Sequence, residues 1–276
     1  AQWCIVEDAE LGLRLHERGH KAVYVARSFG RGLVPTTFAG FSKQRFRWAY
    51  GAVRVSLRHW RQLLGFAPGL TRAQRFRYVA GWLPWFADAF HLLFSLIILI
   101  ASVFFISDFR HFPPPEFGVP FILFTLLRWT FTLFAYRKRV AIGWGRTVAA
   151  AVVGVALTNT IASAVLRGLF SARLPFVRTD KSRQRLRGSL AWLRALGGVP
   201  LDMVLALALF GAGGALLARY GVGSADAITW CVVLWLQAFP GLSAVALTLA
   251  SSRRREPAHN DEHASVPTTV HSEHLG

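Results

Sequence analysis

Acidic residues are scarce in this sequence. Its 276 residues contain 14 Asp and Glu against 32 Lys and Arg, which gives a formal net charge of +18. Charged residues of both signs make up only 17%, whereas soluble domains carry about 25%. Because hydrophobic residues reach 53%, the composition excludes an intrinsically disordered chain and a soluble nucleic-acid-binding module. Basic residues beside long apolar runs are typical of the cytoplasmic loops of membrane proteins.

Cysteine is nearly absent, which excludes a disulfide scaffold and a zinc site built from cysteines. The two cysteines, Cys4 and Cys231, lie far apart in the chain. The sequence also lacks a signal peptide and a starting methionine, since the one Met is Met203. Residues 3–8 are predicted to lie within a folded domain and not at its start. The sequence therefore predicts the C-terminal part of a longer protein.

The N-terminal part of the chain is polar, basic and of mixed secondary structure. Residues 1–6 are a short apolar stretch, residues 9–18 are predicted as a helix that ends at Gly19, and residues 21–26 as a β-strand. We expect residues 1–35 to be the C-terminal edge of an α/β domain.

Two amphipathic helices are predicted to follow over residues 36–80. Thr36 or Thr37 can cap the first helix, and the Thr71-x-x-Gln74 pattern is a capping box that opens the second. Both helices carry Arg among aromatic residues, which is typical of helices that lie at a membrane surface.

Apolar segments dominate the rest of the chain. Each of five is long enough to cross a hydrocarbon core of about 30 Å. They cover residues 83–106, 118–136, 142–166, 200–219 and 227–250. Residues 251–276 are polar, hold four of the nine His, and are predicted to form a disordered tail, for which metal binding is the less favoured interpretation.

The distribution of positive charge conflicts with five crossings. If all five segments crossed, the basic segments 137–139 and 167–194 would lie on opposite sides, although the positive-inside rule puts both in the cytoplasm. The conflict disappears if 142–166 is an interface helix. The predicted fold is therefore mainly α, with about four crossings within residues 81–250.

The carboxylate pair Glu7-Asp8 closes an apolar stretch and opens a helix. A carboxylate at the edge of a domain can act as a general base. Alternatively, Asp8 only caps the helix and interacts with its dipole. From the pair alone, the capping interpretation is favoured.

The segment Gln44-Arg45-Phe46-Arg47-Trp48 is more informative. On a helix, Gln44, Arg47 and Trp48 share one narrow face, and Arg45 lies beside it. Guanidinium groups suit a diphosphate, and an indole can stack under a sugar ring. The alternative is an amphipathic interface helix with a Trp at headgroup level.

The segment Phe-Val-Arg-Thr-Asp-Lys at 176–181 lies in the basic loop and is a weaker signal. Thr179 and Lys181 could hold a phosphate. However, any cytoplasmic loop rich in positive charge would look much the same.

Together and in this order, the three segments resemble membrane-embedded, processive family 2 glycosyltransferases, the cellulose synthases and related β-glucan synthases. Residues 6–8 are similar to their Thr-Glu-Asp motif, with Val in place of Thr, and residues 44–48 match their Gln-(Gln/Arg)-x-Arg-Trp motif in full. Residues 176–181 are similar to their gating-loop motif, with Arg178 in place of Val. The resemblance implies that residues 1–35 close a GT-A type domain and that 171–188 form a gating-like loop.

The resemblance also implies a role for each matched residue. Asp8, with Glu7 beside it, would deprotonate the acceptor hydroxyl. The residues implied to contact the acceptor end and the UDP diphosphate are Gln44, Arg45, Arg47 and Trp48. Those implied to close over the bound donor are Phe176, Thr179 and Lys181.

The implied activity is that of a hexosyltransferase. It would transfer a sugar, with glucose expected, from a UDP-sugar to a growing β-glucan and pass the product across the membrane. The implied location is the bacterial inner membrane, with the motifs and the tail in the cytoplasm. Accessory subunits are possible, and no nucleic-acid partner is expected.

A divalent cation, Mg²⁺ or Mn²⁺, is implied at the diphosphate. The sequence has no Asp-x-Asp pair to hold it. We therefore expect the metal ligands and the uridine-binding residues in a missing N-terminal portion. We also expect the chain alone to be unable to bind a UDP-sugar productively.

A non-catalytic channel or translocation subunit, or a transporter, is the alternative function. Charged residues inside or near the apolar segments, Arg128 and Asp202, would favour transport. The aromatic residues that could face a sugar channel are Trp82, Trp85, Trp129, Trp230 and Trp235. An interfacial aromatic belt is the favoured explanation for most of them.

Overall fold

The computed structural model describes residues 4–25, 27, 29–30, 35, 37–107, 115–140, 143–171 and 191–253, and within these ranges all regular secondary structure is helical. The helices are α1 (Glu7–Glu17), α2 (Phe38–Arg58), α3 (Trp60–Leu64), α4 (Arg72–Ile106), α5 (Pro115–Val140), α6 (Trp144–Ala156), α7 (Thr158–Phe170), α8 (Ala191–Leu196), α9 (Pro200–Tyr220) and α10 (Ala225–Arg253). The mainly α prediction is confirmed.

Local sequence signals set several helix ends. The Thr37 hydroxyl accepts a hydrogen bond from the Gly40 N–H and caps α2. Thr71 and Gln74 form the predicted capping box at the start of α4. After α1, Gly19 has φ = +83°, a left-handed conformation that residues with a Cβ rarely adopt. The predictions that rested on capping patterns are confirmed.

The predicted α/β edge is not confirmed. Residues 21–25 form no strand, and the Tyr24 side chain is 91% exposed. A β-strand requires backbone hydrogen bonds to a neighbouring strand. Among the described residues no such neighbour exists, so the strand propensity of this segment is not expressed.

Helix α4 joins two elements that were expected to be separate. Its 35 residues, about 52 Å long, run without a break from the capping box to Ile106 and contain Pro84. The predicted surface helix and the first apolar segment are thus one helix. Gly81 and Pro84, which often mark the end of a helix, lie inside α4 and do not end it.

The segment predicted as a single interface helix consists of two helices that are interrupted at Leu157. Helix α6 packs mainly on α5 and α10, whereas α7 packs mainly on α2 and α4. Because of the interruption, the two halves of one apolar segment pack against two different pairs of helices.

Five stretches of the described chain are helical, long and apolar enough to cross a membrane. They are Arg72–Ile106, Glu116–Lys138, Trp144–Phe170, Pro200–Tyr220 and Ala225–Ser252. These lengths and compositions indicate membrane association. The expectation of four crossings, with residues 142–166 as an interface helix, stays a prediction.

The bundle is closely packed where α9 meets α10. A Cβ at Gly241 would lie 2.5 Å from the backbone oxygen of Asp202, so the two helix backbones touch. Leu209, Leu216 and Leu234 fill the same interface. The close contact between α9 and α10 holds in place the buried polar residues of these two helices that are described below.

Candidate functional site

Helix α2 carries the Gln-Arg-Phe-Arg-Trp segment on one continuous helix. Gln44, Arg45 and Arg47 are half-buried, and Trp48 is 42% exposed. The next turn, which contains Tyr50, packs into a core cluster with α7. The helix is thus anchored on one side and leaves the Trp48 ring accessible on the other.

Arg45 lies between two aromatic rings. Its guanidinium carbon is 4.4 Å from the centroid of the Trp48 ring and 4.8 Å from that of Phe41. Burial lowers the pKa of Arg45, while the nearby Tyr136 of α5 raises it. Arg45 therefore covers part of the Trp48 ring, and the remaining exposed surface of the indole can receive a ligand.

The second half of α2 holds the end of α7, where the predicted gating-like loop starts. The Tyr50 hydroxyl donates to the Ser171 carbonyl at 3.0 Å, and Nη1 of Arg54 donates to the Gly168 carbonyl at 3.3 Å. A Cβ at Gly168 would lie 2.9 Å from the Val53 side chain. The two helices are therefore in close contact at the base of this loop.

The predicted gating residues, Phe176, Thr179 and Lys181, lie outside the described residues. Their predicted role stays a prediction.

Asp8 and Glu7 lie in the first turn of α1, and both are exposed. Oδ1 of Asp8 accepts a hydrogen bond from the Ala9 N–H at 2.8 Å. The N-cap position belongs to Val6, so Asp8 is not the capping residue that the alternative interpretation requires. The Asp8 carboxylate stabilises the first turn through the helix dipole and stays accessible.

The segment before α1 docks directly on α2. A Cβ at Gly51 would overlap the Val6 side chain, so Val6 rests on the helix backbone at that point. Gly51 follows Trp48 by about 4.5 Å along the helix, and Asp8 follows Val6 by at most about 7 Å of chain. The cluster around this contact comprises Cys4, Val6, Leu13, Val55, Leu63 and Leu70. The structure thereby brings the Asp8 and Trp48 segments into one region.

Sequence reasoning missed this contact, although a signal for it exists. Gly51 and Gly168 lie inside helices, where Gly costs about 1 kcal/mol relative to Ala. A glycine at such a position often marks the close approach of another element. Which element approaches could not be read from the sequence.

Gly51→Ala is expected to lower the free energy of unfolding by about 1–3 kcal/mol, because the added methyl group overlaps Val6. The matched control is Gly12→Ala in α1, where a Cβ would meet no atom within 4 Å. We expect the control to be neutral or slightly stabilising, since Ala favours helix over Gly. Thermal unfolding in detergent compares the two, and equal Tm values would contradict the Val6–Gly51 contact.

A polar cluster inside the bundle was not predicted as one site. Nη2 of Arg128 lies 3.6 Å from Oδ1 of the buried Asp88, and the Thr158 hydroxyl donates to the same carboxylate. The Asn159 amide donates to Oδ1 of Asp202 at 2.8 Å. Because Thr158 and Asn159 follow the interruption between α6 and α7, this break brings their side chains to the buried carboxylates of α4 and α9.

A cavity of about 340 Å³ lies beside this cluster. Its aromatic lining is Phe90, Phe94, Phe121, Phe124 and Trp129, and its polar lining includes His91, Thr125, Arg128, Thr158 and Gln237. Among the five tryptophans considered for a sugar channel, Trp129 alone lines this cavity. Trp230 and Trp235 instead donate hydrogen bonds to the Ser102 hydroxyl and the Phe210 carbonyl within the bundle.

The family model described as "Glycosyl transferase family group 2" matches residues 3–244. The chain belongs to this family. The match begins before α1 and ends within α10, so it includes both described motif segments and the apolar helices. No curated protein and no solved structure matches the chain.

Membership of family 2 supports glycosyl transfer from a nucleotide-sugar donor to an acceptor. The enzyme interpretation therefore gains support over the transporter interpretation. The specific sugar, the polymer and the translocation of a product are finer statements and are treated as proposals.

Family 2 glycosyltransferases generally use a divalent metal ion. In the described part of this glycosyltransferase, no group of three or more His, Cys, Asp or Glu residues is placed to hold one. The sequence also has no Asp-x-Asp pair. The described residues therefore do not fit such an ion.

Proposed function

We propose that this chain belongs to an inverting, processive glycosyltransferase that transfers glucose from UDP-glucose to a growing β-glucan. The family match over residues 3–244 supports glycosyl transfer. The observation that carries the proposal is the contact of Val6 with Gly51, because it holds the Asp8 carboxylate near the helix that presents Trp48.

Asp8 is the proposed general base. The acceptor hydroxyl attacks the anomeric carbon of the donor sugar, and Asp8 takes its proton as the new C–O bond forms. The bond between the anomeric carbon and the UDP oxygen breaks on the opposite face, and UDP leaves with the electron pair. Because the base and the leaving group lie on opposite faces of the sugar, one carboxylate is enough. Glu7, which is also exposed, is the second candidate.

Trp48 is the proposed platform for the acceptor end of the chain. Its indole is fixed by the Arg45 guanidinium, which stacks on the ring at 4.4 Å. A ring held in this way loses little side-chain entropy when a sugar binds. We assign Gln44, Arg45 and Arg47 to the diphosphate and the acceptor end, since guanidinium forks match phosphate oxygens.

The cavity beside Asp88 and Arg128 is the proposed path of the product through the bundle. Aromatic faces and a few polar groups form its lining, a combination that suits sugar rings. The buried Gln237 accepts a hydrogen bond from Ser95 at its Oε1, and among the described residues its Nε2 has no hydrogen-bond partner. Because Gln237 lines the cavity, we assign this amide as a donor to a hydroxyl group of the product.

We place the enzyme in a bacterial inner membrane with four crossings, and with the Asp8 and Trp48 segments on the cytoplasmic side. The excess of Lys and Arg in the N-terminal part and in the loop after α7 supports this orientation. The predicted gating loop, residues 171–188, would then lie on the donor side of the membrane.

The proposal is tested by transfer from radiolabelled UDP-glucose in liposomes that contain the complete protein to which this chain belongs, with UDP-N-acetylglucosamine and GDP-mannose as competing donors. Trp48→Ala is expected to lower polymer synthesis about fivefold, because a stacked ring contributes about 1 kcal/mol. The control is Trp60→Ala, whose ring is similarly exposed at 49% and should have no effect. Absence of transfer from every donor would overturn the proposal, and single-sugar products would overturn its processive part.

A further inference from the structure

A buried ionic cluster joins α1 to the end of α2. His59 lies between α2 and α3 and is 8% exposed. Its Nδ1–H donates to Oε1 of Glu17 at 2.7 Å, and its Nε2 lies 3.6 Å from Oε1 of Glu10. Glu10 is 3% exposed, and its Oε1 is 3.5 Å from Nη1 of Arg14, which reaches solvent. None of these residues has a part in the function proposed above.

The cluster is arranged so that His59 links two carboxylates. Glu10, Arg14 and Glu17 share one face of α1, since they are four and three residues apart. A buried carboxylate without a partner is costly, so the buried Glu10 requires a donor or a cation, and the half-buried Glu17 gains from one. Arg14 serves Glu10 from within α1, whereas His59 contacts both glutamates from another element.

The His59 backbone is fixed as well. Its N–H donates to the Val55 carbonyl, and its carbonyl accepts from the Leu63 N–H, both at 3.0 Å. Val55 and Leu63 belong to the apolar cluster that surrounds Val6. The imidazole is therefore mounted on the same rigid surface on which the start of α1 rests.

Helix α1 is thus held by apolar and by polar contacts. Val6 contacts Gly51 at one end of the helix, and Glu10 and Glu17 contact His59 further along. Leu13 packs in the same apolar cluster as Val6. The ionic contacts of His59 add a directional restraint to this packing and help to set the direction in which the first turn presents Asp8.

We infer that His59 is a positioning residue for sugar transfer, because its contacts with Glu10 and Glu17 set the placement of Asp8 relative to Trp48. The catalytic consequence rests on the proposed function, whereas the docking of α1 does not. His59 acts through α1 and has no contact with substrate.

Two substitutions separate the contacts of His59. The amide nitrogen of Asn can replace Nδ1 and keep the bond to Glu17, whereas that of Gln replaces Nε2 and loses this bond. In reconstituted protein, His59→Gln is expected to lower kcat about tenfold and to leave the KM of UDP-glucose within twofold. His59→Asn should retain most of the kcat. The control is His20→Gln, an exposed histidine just after α1, and it should match the wild type. An unchanged kcat in His59→Gln would overturn the inference.

A double variant tests whether His59 acts through Asp8. The placement of α1 no longer affects proton transfer once the Asp8 carboxylate has been removed. The double variant Asp8→Asn with His59→Gln is therefore expected to be no slower than Asp8→Asn alone. A further tenfold loss in the double variant would show an effect independent of Asp8 and would overturn the inference.

Hydrogen exchange supplies a readout that does not depend on activity. In His59→Gln we expect the amides of α1 to exchange at least tenfold faster, with those of α7 unchanged. If His59→Gln does not accumulate in membranes, Glu17→Gln removes the same charged contact and takes its place. Unchanged exchange in α1 would overturn the docking role. Absence of transfer by the wild type would overturn the proposed function and leave the exchange result to decide the docking role.

Discussion

Asp8→Asn is expected to reduce sugar transfer about 10³-fold and to leave the chain folded and inserted in the membrane. The reason is that the amide cannot accept the proton of the acceptor hydroxyl, and removal of a general base costs about 10²–10⁴ in rate. The fold should tolerate the change for two reasons. The Asp8 side chain is exposed, and the Asn carbonyl can also accept the hydrogen bond that Asp8 accepts from the adjacent Ala9 N–H. The measurement is release of UDP and formation of polymer by the complete protein that contains this chain, reconstituted in liposomes, with Tm recorded in parallel.

The matched control is Asp226→Asn. Asp226 also lies in the first turn of a helix, at the start of α10. Its substitution should leave transfer within about twofold, since only the small dipole interaction is weakened. Glu7→Gln distinguishes the two adjacent carboxylates. If Glu7→Gln is the inactive variant and Asp8→Asn the active one, the base is assigned to the wrong residue. If both remain active, the channel interpretation takes precedence over catalysis by this segment.

The second large effect is expected from Arg128→Ala. The substitution leaves the buried Asp88 carboxylate without its cation, which lies 3.6 Å away in the native structure. Breaking a fully buried ion pair by removing one partner costs about 3 kcal/mol or more, and the cost here should be lower, about 2 kcal/mol, because half of the Arg128 side chain is exposed. For a chain of this size we expect a fall in Tm of roughly 5 °C, measured by thermal unfolding in detergent.

A second substitution tests whether the loss of stability comes from the unpaired Asp88 charge. Asp88→Asn in the Arg128→Ala background removes the unpaired charge and should restore most of the lost Tm. The control is Arg146→Ala, an exposed arginine of α6 that should change the Tm little. An equal fall in the single and double variants would show that Arg128 contributes through packing and not through its charge.

The helix ends could be predicted because their causes are local. Thr37, the Thr71–Gln74 pair and Gly19 act through atoms within four residues of each other. The shared face of Gln44, Arg47 and Trp48 likewise follows from the helical period. By contrast, a strand at residues 21–25 depends on a partner outside the segment, and this prediction was not confirmed.

The helical class, the caps, the apolar lengths and the order of the motifs follow from the amino-acid sequence, because each is a property of neighbouring residues. The folded arrangement was needed to show that Val6 lies on Gly51, that His59 bridges two glutamates of α1, and that Arg128 meets Asp88. These partners are about 40 or more residues apart. Their contacts follow from the way whole helices fill space against one another, which no local pattern specifies.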